Sequence, residues 1–250
     1  MNQLLEVGLL KNNLATIILA AGKGTRMNSE IPKVLHKVKG KSMIEHVVSS
    51  TLTLDPQKIL IVVGYKSEEV KKHLNTYELE YAYQEKQKGT AHAVMKCKYQ
   101  LNDFEGHTLI LSGDTPLIKS KTLKKLYDTH ISHNANATIL SAKIKNPYGY
   151  GRIIRKNENF VSIVEEKDAN NKQKSIKEIN SGIYIFNNKI LFKNIDKIDN
   201  KNKQTEYYLP DIMPILIKKN HKVVVHQIID ENEIRGANTI EQLDELEKYA

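Results

Sequence analysis

The stretch Leu19-Ala20-Ala21-Gly22-Lys23-Gly24-Thr25-Arg26-Met27, with Ile31-Pro32-Lys33-Val34-Leu35 close behind it, decides how this chain is read. It follows the apolar, partly β-branched run Leu14-Ala15-Thr16-Ile17-Ile18, which has the pattern of a buried strand ending where the glycines begin. Gly22 and Gly24 lack a Cβ, so the N–H groups beside them can converge on an anion. Arg26 adds a forked, permanent charge and Lys33 a mobile one. The competing reading is a tight loop whose charges face water, and the glycines alone do not decide between the two. Two familiar phosphate loops are excluded. A Walker A loop has four residues between its glycines and Lys-Ser/Thr after the second, whereas one residue separates Gly22 from Gly24 and Thr25 follows. The dinucleotide fingerprint needs a third glycine where Met27 stands.

Outward from this loop, apolar strands alternate with helical patterns. Ser42–Leu54 has helical spacing, Ile59–Val63 reads as a second buried strand, Ser67 to about Leu74 as a helix and Leu79–Tyr83 as a third strand. Such alternation predicts a doubly wound α/β sheet, largely parallel, with ligands beyond the carboxyl ends of its strands. At the next two strand ends stand Gln84-Glu85-Lys86-Gln87-Lys88-Gly89-Thr90, opening a helix to about Tyr99, and Gly113-Asp114-Thr115-Pro116-Leu117 after Thr108–Ser112. An amide such as Gln84 can satisfy donors and acceptors on a base edge. Asp114 at the end of a buried strand suits a hard cation bridged to phosphates, although a solvated turn aspartate has the same local pattern. After a helix over Ser120–Ser132 the chain becomes β-rich through Phe186. This predicts an insertion forming a second wall of the site, with Glu165 and Asn180 beside apolar runs, where a sugar or plain strand-end polarity would account for them. Val223–Ile228 reads as a further strand and Thr239–Ala250 as a final amphipathic helix. The expected organisation is an extension over residues 1–13, a Rossmann-like mixed-sheet domain over 14–238 (nucleotide part to about 135, sugar part 136–238) and a terminal helix over 239–250.

Composition narrows the partners. The 250 residues suit one α/β domain with insertions, and no internal repeat is visible. The formal charge of +9, from 38 basic and 29 acidic residues, admits nucleic acid, a membrane surface or small anions. Without tryptophan or basic–aromatic clusters, small anionic substrates are favoured; neither nucleic acid nor membrane is expected. The arginines are only Arg26, Arg152, Arg155 and Arg235, and the first two lie near glycines that could attend phosphate. No signal peptide is read at Met1–Val7, the apolar runs are too short to span a bilayer, and Cys97 has no internal disulfide partner, so a cytoplasmic protein is expected. The histidines lack metal-ligand spacing; His130 and His133 read as solvated.

In order, these motifs resemble those of the sugar-1-phosphate nucleotidyltransferases. The later block, Gly149-Tyr150-Gly151-Arg152, Val164-Glu165-Glu166-Lys167-Asp168-Ala169, Glu178-Ile179-Asn180-Ser181-Gly182, Glu206-Tyr207-Tyr208 and Gly236-Ala237-Asn238, is similar to the N-acetylglucosamine-1-phosphate uridylyltransferases that form the amino-terminal half of bifunctional uridylyltransferase/acetyltransferases. The resemblance covers about residues 14–250. It implies Ala20, Ala21, Gly22, Gly24, Gln84, Gly89 and Thr90 around the nucleotide, and Arg26 and Lys33 on the triphosphate. It also implies Mg²⁺ at Asp114 and Asn238, and Gly151, Glu165 and Asn180 on the sugar. For Asn238, which reads locally as a helix N-cap, only the resemblance supplies a role. Ser112 stands where some members carry an aromatic residue, and the hexapeptide repeats of the acetyltransferase half are not in this sequence. A monomer or weak oligomer, with a separate acetyltransferase supplying substrate for envelope-precursor synthesis, is therefore expected. Competing readings are a uridylyl- or thymidylyltransferase for another sugar-1-phosphate, a glycosyltransferase, which the missing D-x-D motif disfavours, and a non-catalytic nucleotide-sugar sensor.

Overall fold

A computed structural model describes residues 12–250. Most of the expected extension over 1–13 lies outside the described residues; Asn12 and Asn13 already belong to the first strand, β1 (Asn12–Leu19). A short hairpin, β2 (Lys37–Val38) and β3 (Lys41–Ser42), precedes α1 (Met43–Leu52), β4 (Pro56–Val63), α2 (Ser67–His73) and β5 (Glu80–Tyr83). Then come α3 (Thr90–Met95), α4 (Lys98–Leu101), β6 (His107–Ser112), α5 (Ser120–Ser132) and β7 (Ala137–Lys143). The hairpin β8 (Arg152–Lys156) and β9 (Asn159–Val164) leads through α6 (Asn171–Lys174) to β10 (Glu178–Asn187) and α7 (Asn188–Asn194). The chain closes with α8 (Ile212–Lys218), β11 (Val223–Ile228) and α9 (Ile240–Glu247).

The main sheet runs β11-β7-β10-β6-β1-β4-β5, with β8 and β9 attached through β10. Leu14, Ala15, Ile17 and Ile18 are fully buried because β1 is central and covered on both faces. Odd and even positions part company: Ala15 and Ile17 join a core with Val94, Leu101 and Met213, whereas Leu14 and Ile18 join one with Val47, Val48, Val70 and Leu126. Helices therefore cover both faces, as the doubly wound expectation required. Parallel pairing on both sides places Leu19 opposite Val62 and Ser112, so three strands end together beneath the glycine loop.

The sheet is mixed, as expected: along the main path β10 alone is reversed, antiparallel to both β6 and β7. Three features depart from the sequence reading. The β-rich insertion is narrower than expected: β7, β10 and β11 belong to the central sheet, and only β8–β9 stands off it, meeting β10 at Ile179 opposite Arg152. The helix expected to reach Tyr99 breaks after Met95, where the Lys96 and Cys97 N–H groups bond to carbonyls three residues back, Ala93 and Val94. His130 is fully buried, within 3.0 Å of His107 and 2.8 Å of the Thr138 hydroxyl, because its helix face packs on the sheet; His133 is exposed as expected. Among the described residues no helix is long and apolar enough to cross a membrane.

Candidate active site

A cavity of about 590 Å³ lies beyond the carboxyl ends of β1, β5 and β6. It is lined by every site residue expected from the sequence (Ala20, Ala21, Gly22, Arg26, Lys33, Gln84, Gly89, Thr90, Asp114, Gly151, Glu165, Asn180 and Asn238) except Gly24. Gly24 faces a separate depression with Lys23 and Tyr65. Its φ of +64° bends the loop, and a Cβ there would stand 2.5 Å from the Lys33 Cβ, so this glycine makes room for Lys33 rather than lining the cavity.

The loop is built to receive an anion. The backbone N–H groups of Ala21, Gly22 and Lys23 have no partner among the described residues, and the exposed Arg26 guanidinium makes no ion pair there. Its position is fixed by its neighbours: the Gly113 N–H donates to the Leu19 carbonyl at 2.9 Å, and the Gln87 amide donates to the carbonyls of Ala21 and Gln84 at 3.3 and 3.2 Å. Gln87, which sequence reasoning passed over, thus staples two walls together; its signal was its place in the polar loop beside Gln84.

Opposite the loop, the Lys33 ammonium bonds to the Asp114 carboxylate and to Asn238 Oδ1, the latter at 2.6 Å. Burial opposes ionisation of Asp114, but the Lys33 charge and the Ser112 hydroxyl outweigh it and hold the carboxyl below its usual range. Two hard oxygen donors thus converge on one cationic nitrogen, and that donor chemistry is compatible with a hard divalent cation such as Mg²⁺. Asn238 is free for this because it does not cap α9. Thr239 is the cap, its hydroxyl accepting from the Gln242 N–H at 3.3 Å, while the Asn238 N–H is satisfied by Gln242 Oε1 at 2.7 Å.

The wall expected to face the nucleotide is shaped by Gly89 and Thr90. Gly89 has φ +105°, and a Cβ would stand 2.5 Å from the Tyr207 carbonyl, so only glycine permits this approach. Tyr207 and Leu209 then bracket the turn: the Tyr207 N–H donates to Lys88 at 2.8 Å, the Ala91 N–H to Tyr207 at 2.9 Å and the Leu209 N–H to the Thr90 hydroxyl at 2.9 Å. The Glu206-Tyr207-Tyr208 segment thereby supports the turn as well as lining the cavity at Glu206.

The far wall comes from β8, β9 and the interrupted β10. Register shifts between Asn180 and Tyr184 around Gly182, so that these two side chains meet at 2.6 Å, which a continuous strand would forbid. The Asn180 N–H donates to Gly151 at 2.9 Å, bringing both expected sugar-side residues to one edge. Glu165 lies beside them with no side-chain partner among the described residues, its carboxyl pushed up to about 7 by burial and by the negative charges of Asp211 and Asp168, against the opposing pull of Arg152. Arg152 is not a phosphate ligand: it is 1% exposed, donating to the Tyr150 carbonyl and to Glu166 at 2.6 Å. Arg155 pairs with Glu178 through two bonds of 2.8 Å, and Arg235 lies over the Tyr249 ring at 4.9 Å. The exposed Tyr148 and the buried Tyr184 also line the cavity, and no local signal in the sequence marked either.

Comparisons with known proteins give the family and the fold. Proteins called bifunctional protein GlmU are 48% identical in Staphylococcus haemolyticus, over 93% of this chain and 51% of the relative, and in Streptococcus pyogenes, over 89% and 53%. The chain spans about half the length of these relatives. A crystal structure from Bacillus anthracis, assigned as a glucose-1-phosphate thymidylyltransferase, superposes with a TM-score of 0.76 at 20% identity over 95% of each chain, and so has the same fold. The nucleotidyl transferase family pattern matches residues 15–231, and the chain belongs to that family.

Proposed function

We propose that the chain transfers a uridylyl group from UTP to N-acetyl-α-D-glucosamine 1-phosphate, giving UDP-N-acetylglucosamine and pyrophosphate. The observation that carries this reading is the continuity of one cavity from the glycine loop and Lys33 to the Gly151–Glu165–Asn180 wall, so that two anionic substrates fit end to end. The similarity to the bifunctional relatives supports the choice of base and sugar.

A sugar-phosphate oxygen is already ionised at neutral pH, so in-line attack on the α-phosphorus needs no general base and no covalent nucleophile. The barrier is repulsion between two anions and their alignment. The loop N–H groups and Arg26 bind and orient the triphosphate, and their charge offsets what accumulates as pyrophosphate leaves. Lys33, tethered to Asp114 and Asn238, stands where a phosphate oxygen can replace one of its partners. Asp114 and Asn238 would hold Mg²⁺, which when bound supplies positive charge to the phosphate oxygens. Asn180 and Glu165 fix the sugar at the opposite end. Cys97 is fully buried and takes no part.

Pyrophosphate release measured with Mg²⁺ across a grid of nucleoside triphosphates and sugar-1-phosphates tests the reading. Activity confined to UTP with N-acetylglucosamine 1-phosphate supports it. Preference for TTP or for glucose 1-phosphate would replace the substrates, and silence throughout would leave a binding protein.

A further inference from the structure

The Gln84 side chain is 3% exposed, and its amide nitrogen has two neighbours: it donates to the Gly89 carbonyl at 3.2 Å and lies 2.9 Å from His92 Nδ1. A carbonyl oxygen can only accept, so the nitrogen and not the oxygen of the amide must face Gly89. His92 Nδ1 must then accept as well, which puts the ring proton on Nε2. Burial, followed by the ammonium groups of Lys96 and Lys88, lowers the His92 pKa and favours this neutral ring; the Tyr207 ring packs nearby, its centroid 6.4 Å away. Gln84 Oε1 is left without a partner among the described residues, on a side chain that lines the cavity. The Gly89 N–H is likewise unpartnered there, so this wall offers an acceptor beside a donor.

We propose that His92 is a positioning residue for base selection. By accepting from the Gln84 amide it turns the amide oxygen toward the cavity, so the wall reads a ring N–H such as the imide of a uracil-type base. A cytosine-type base presents a bare ring nitrogen at that position and meets acceptor against acceptor. His92 does not line the cavity and acts only through Gln84. The inference rests on the assignment of this wall to the nucleotide in the proposed function.

Two substitutions separate the lock from the ring that carries it. His92→Phe keeps an aromatic ring and removes the acceptor; His92→Asn places an amide oxygen near the Nδ1 position. Steady-state kinetics with UTP and CTP, UTP affinity by calorimetry and melting temperature are measured for each, with Q84A alongside. H92F is expected to raise the UTP KM about tenfold with kcat nearly unchanged, and to narrow the UTP-to-CTP ratio of kcat/KM by about tenfold, the scale of one lost hydrogen bond. H92N is expected to recover most of both, and the sugar-phosphate KM to stay fixed throughout. A wild-type ratio and UTP KM in H92F, or an H92N protein as impaired as H92F, would overturn the proposal. H92A provides the same comparison should the phenyl ring prevent folding. If Q84A leaves UTP affinity unchanged, the nucleotide-wall assignment falls too; if Q84A weakens UTP while H92F does not, only the role of His92 falls.

Discussion

Glu165→Gln should make the protein more stable above neutral pH while impairing it as an enzyme. Glu165 titrates near 7 because burial and the nearby Asp211 and Asp168 charges disfavour its ionised form, with Arg152 compensating only in part. A carboxyl whose folded pKa is raised holds its proton more tightly when folded. Stability therefore falls as pH climbs from the unfolded value of 4.5 to about 7, and the penalty is constant above that. At roughly 1.36 kcal/mol per pH unit, the ionised side chain costs the fold about 3 kcal/mol at pH 8. Gln removes that cost at similar volume. On the scale of about 2–4 °C per kcal/mol for a chain of this size, the variant should melt on the order of 6–12 °C higher than wild type at pH 8. The gap should shrink to under about 1 kcal/mol at pH 5. Melting curves from pH 5 to 9 on both proteins provide the test, with sugar-phosphate KM measured in parallel and expected to rise. A gap between the melting temperatures that does not widen with pH, or a variant less stable than wild type at pH 8, would refute the charge argument.

Other substitutions address the remaining walls. Arg26→Ala, which removes an exposed side chain with no ion pair among the described residues, should leave the melting temperature unchanged while lowering kcat by about 10²–10³; intact turnover would remove Arg26 from the triphosphate. Asp114→Ala should abolish the binding of Mn²⁺, used as a spectroscopic probe of the cation site, in the presence of UTP, and wild-type affinity would show that the cation binds elsewhere. Gly89→Ala forces a Cβ to within 2.5 Å of the Tyr207 carbonyl at a φ of +105°. Urea unfolding should report a loss of roughly 2–4 kcal/mol, and a loss under 1 kcal/mol would mean that the turn adapts.

The sequence made the glycine loop, Gln84, Gly89 and Asp114 legible because each follows a strand that ends at the same edge of the sheet, so local order and spatial order coincide. Contacts between distant segments were not legible. Lys33 and Asn238 are separated by 205 positions, and nothing local shows that the lysine answers both Asp114 and Asn238. Asn238 also carried the signature of a helix cap, although its neighbour Thr239 performs that function. The direction of β10 was hidden for another reason: a strand buried on both faces has no alternation that distinguishes parallel from antiparallel neighbours. The break at Gly182, which lets Asn180 meet Tyr184, lies in a run that reads as uninterrupted strand. Arg152, singled out for phosphate, pins its loop to Glu166, and the buried His130 on α5 resembles any solvated helix histidine until the helix is packed.

The central claim is that one cavity joins UTP to a sugar phosphate in a single displacement. Incubating the purified chain with Mg²⁺, UTP and N-acetylglucosamine 1-phosphate, and quantifying sugar nucleotide and pyrophosphate by mass spectrometry, tests it most directly. The account predicts the two products in equal amounts, both lost in Asp114→Ala. Tight binding of UDP-N-acetylglucosamine without formation of either product would contradict it.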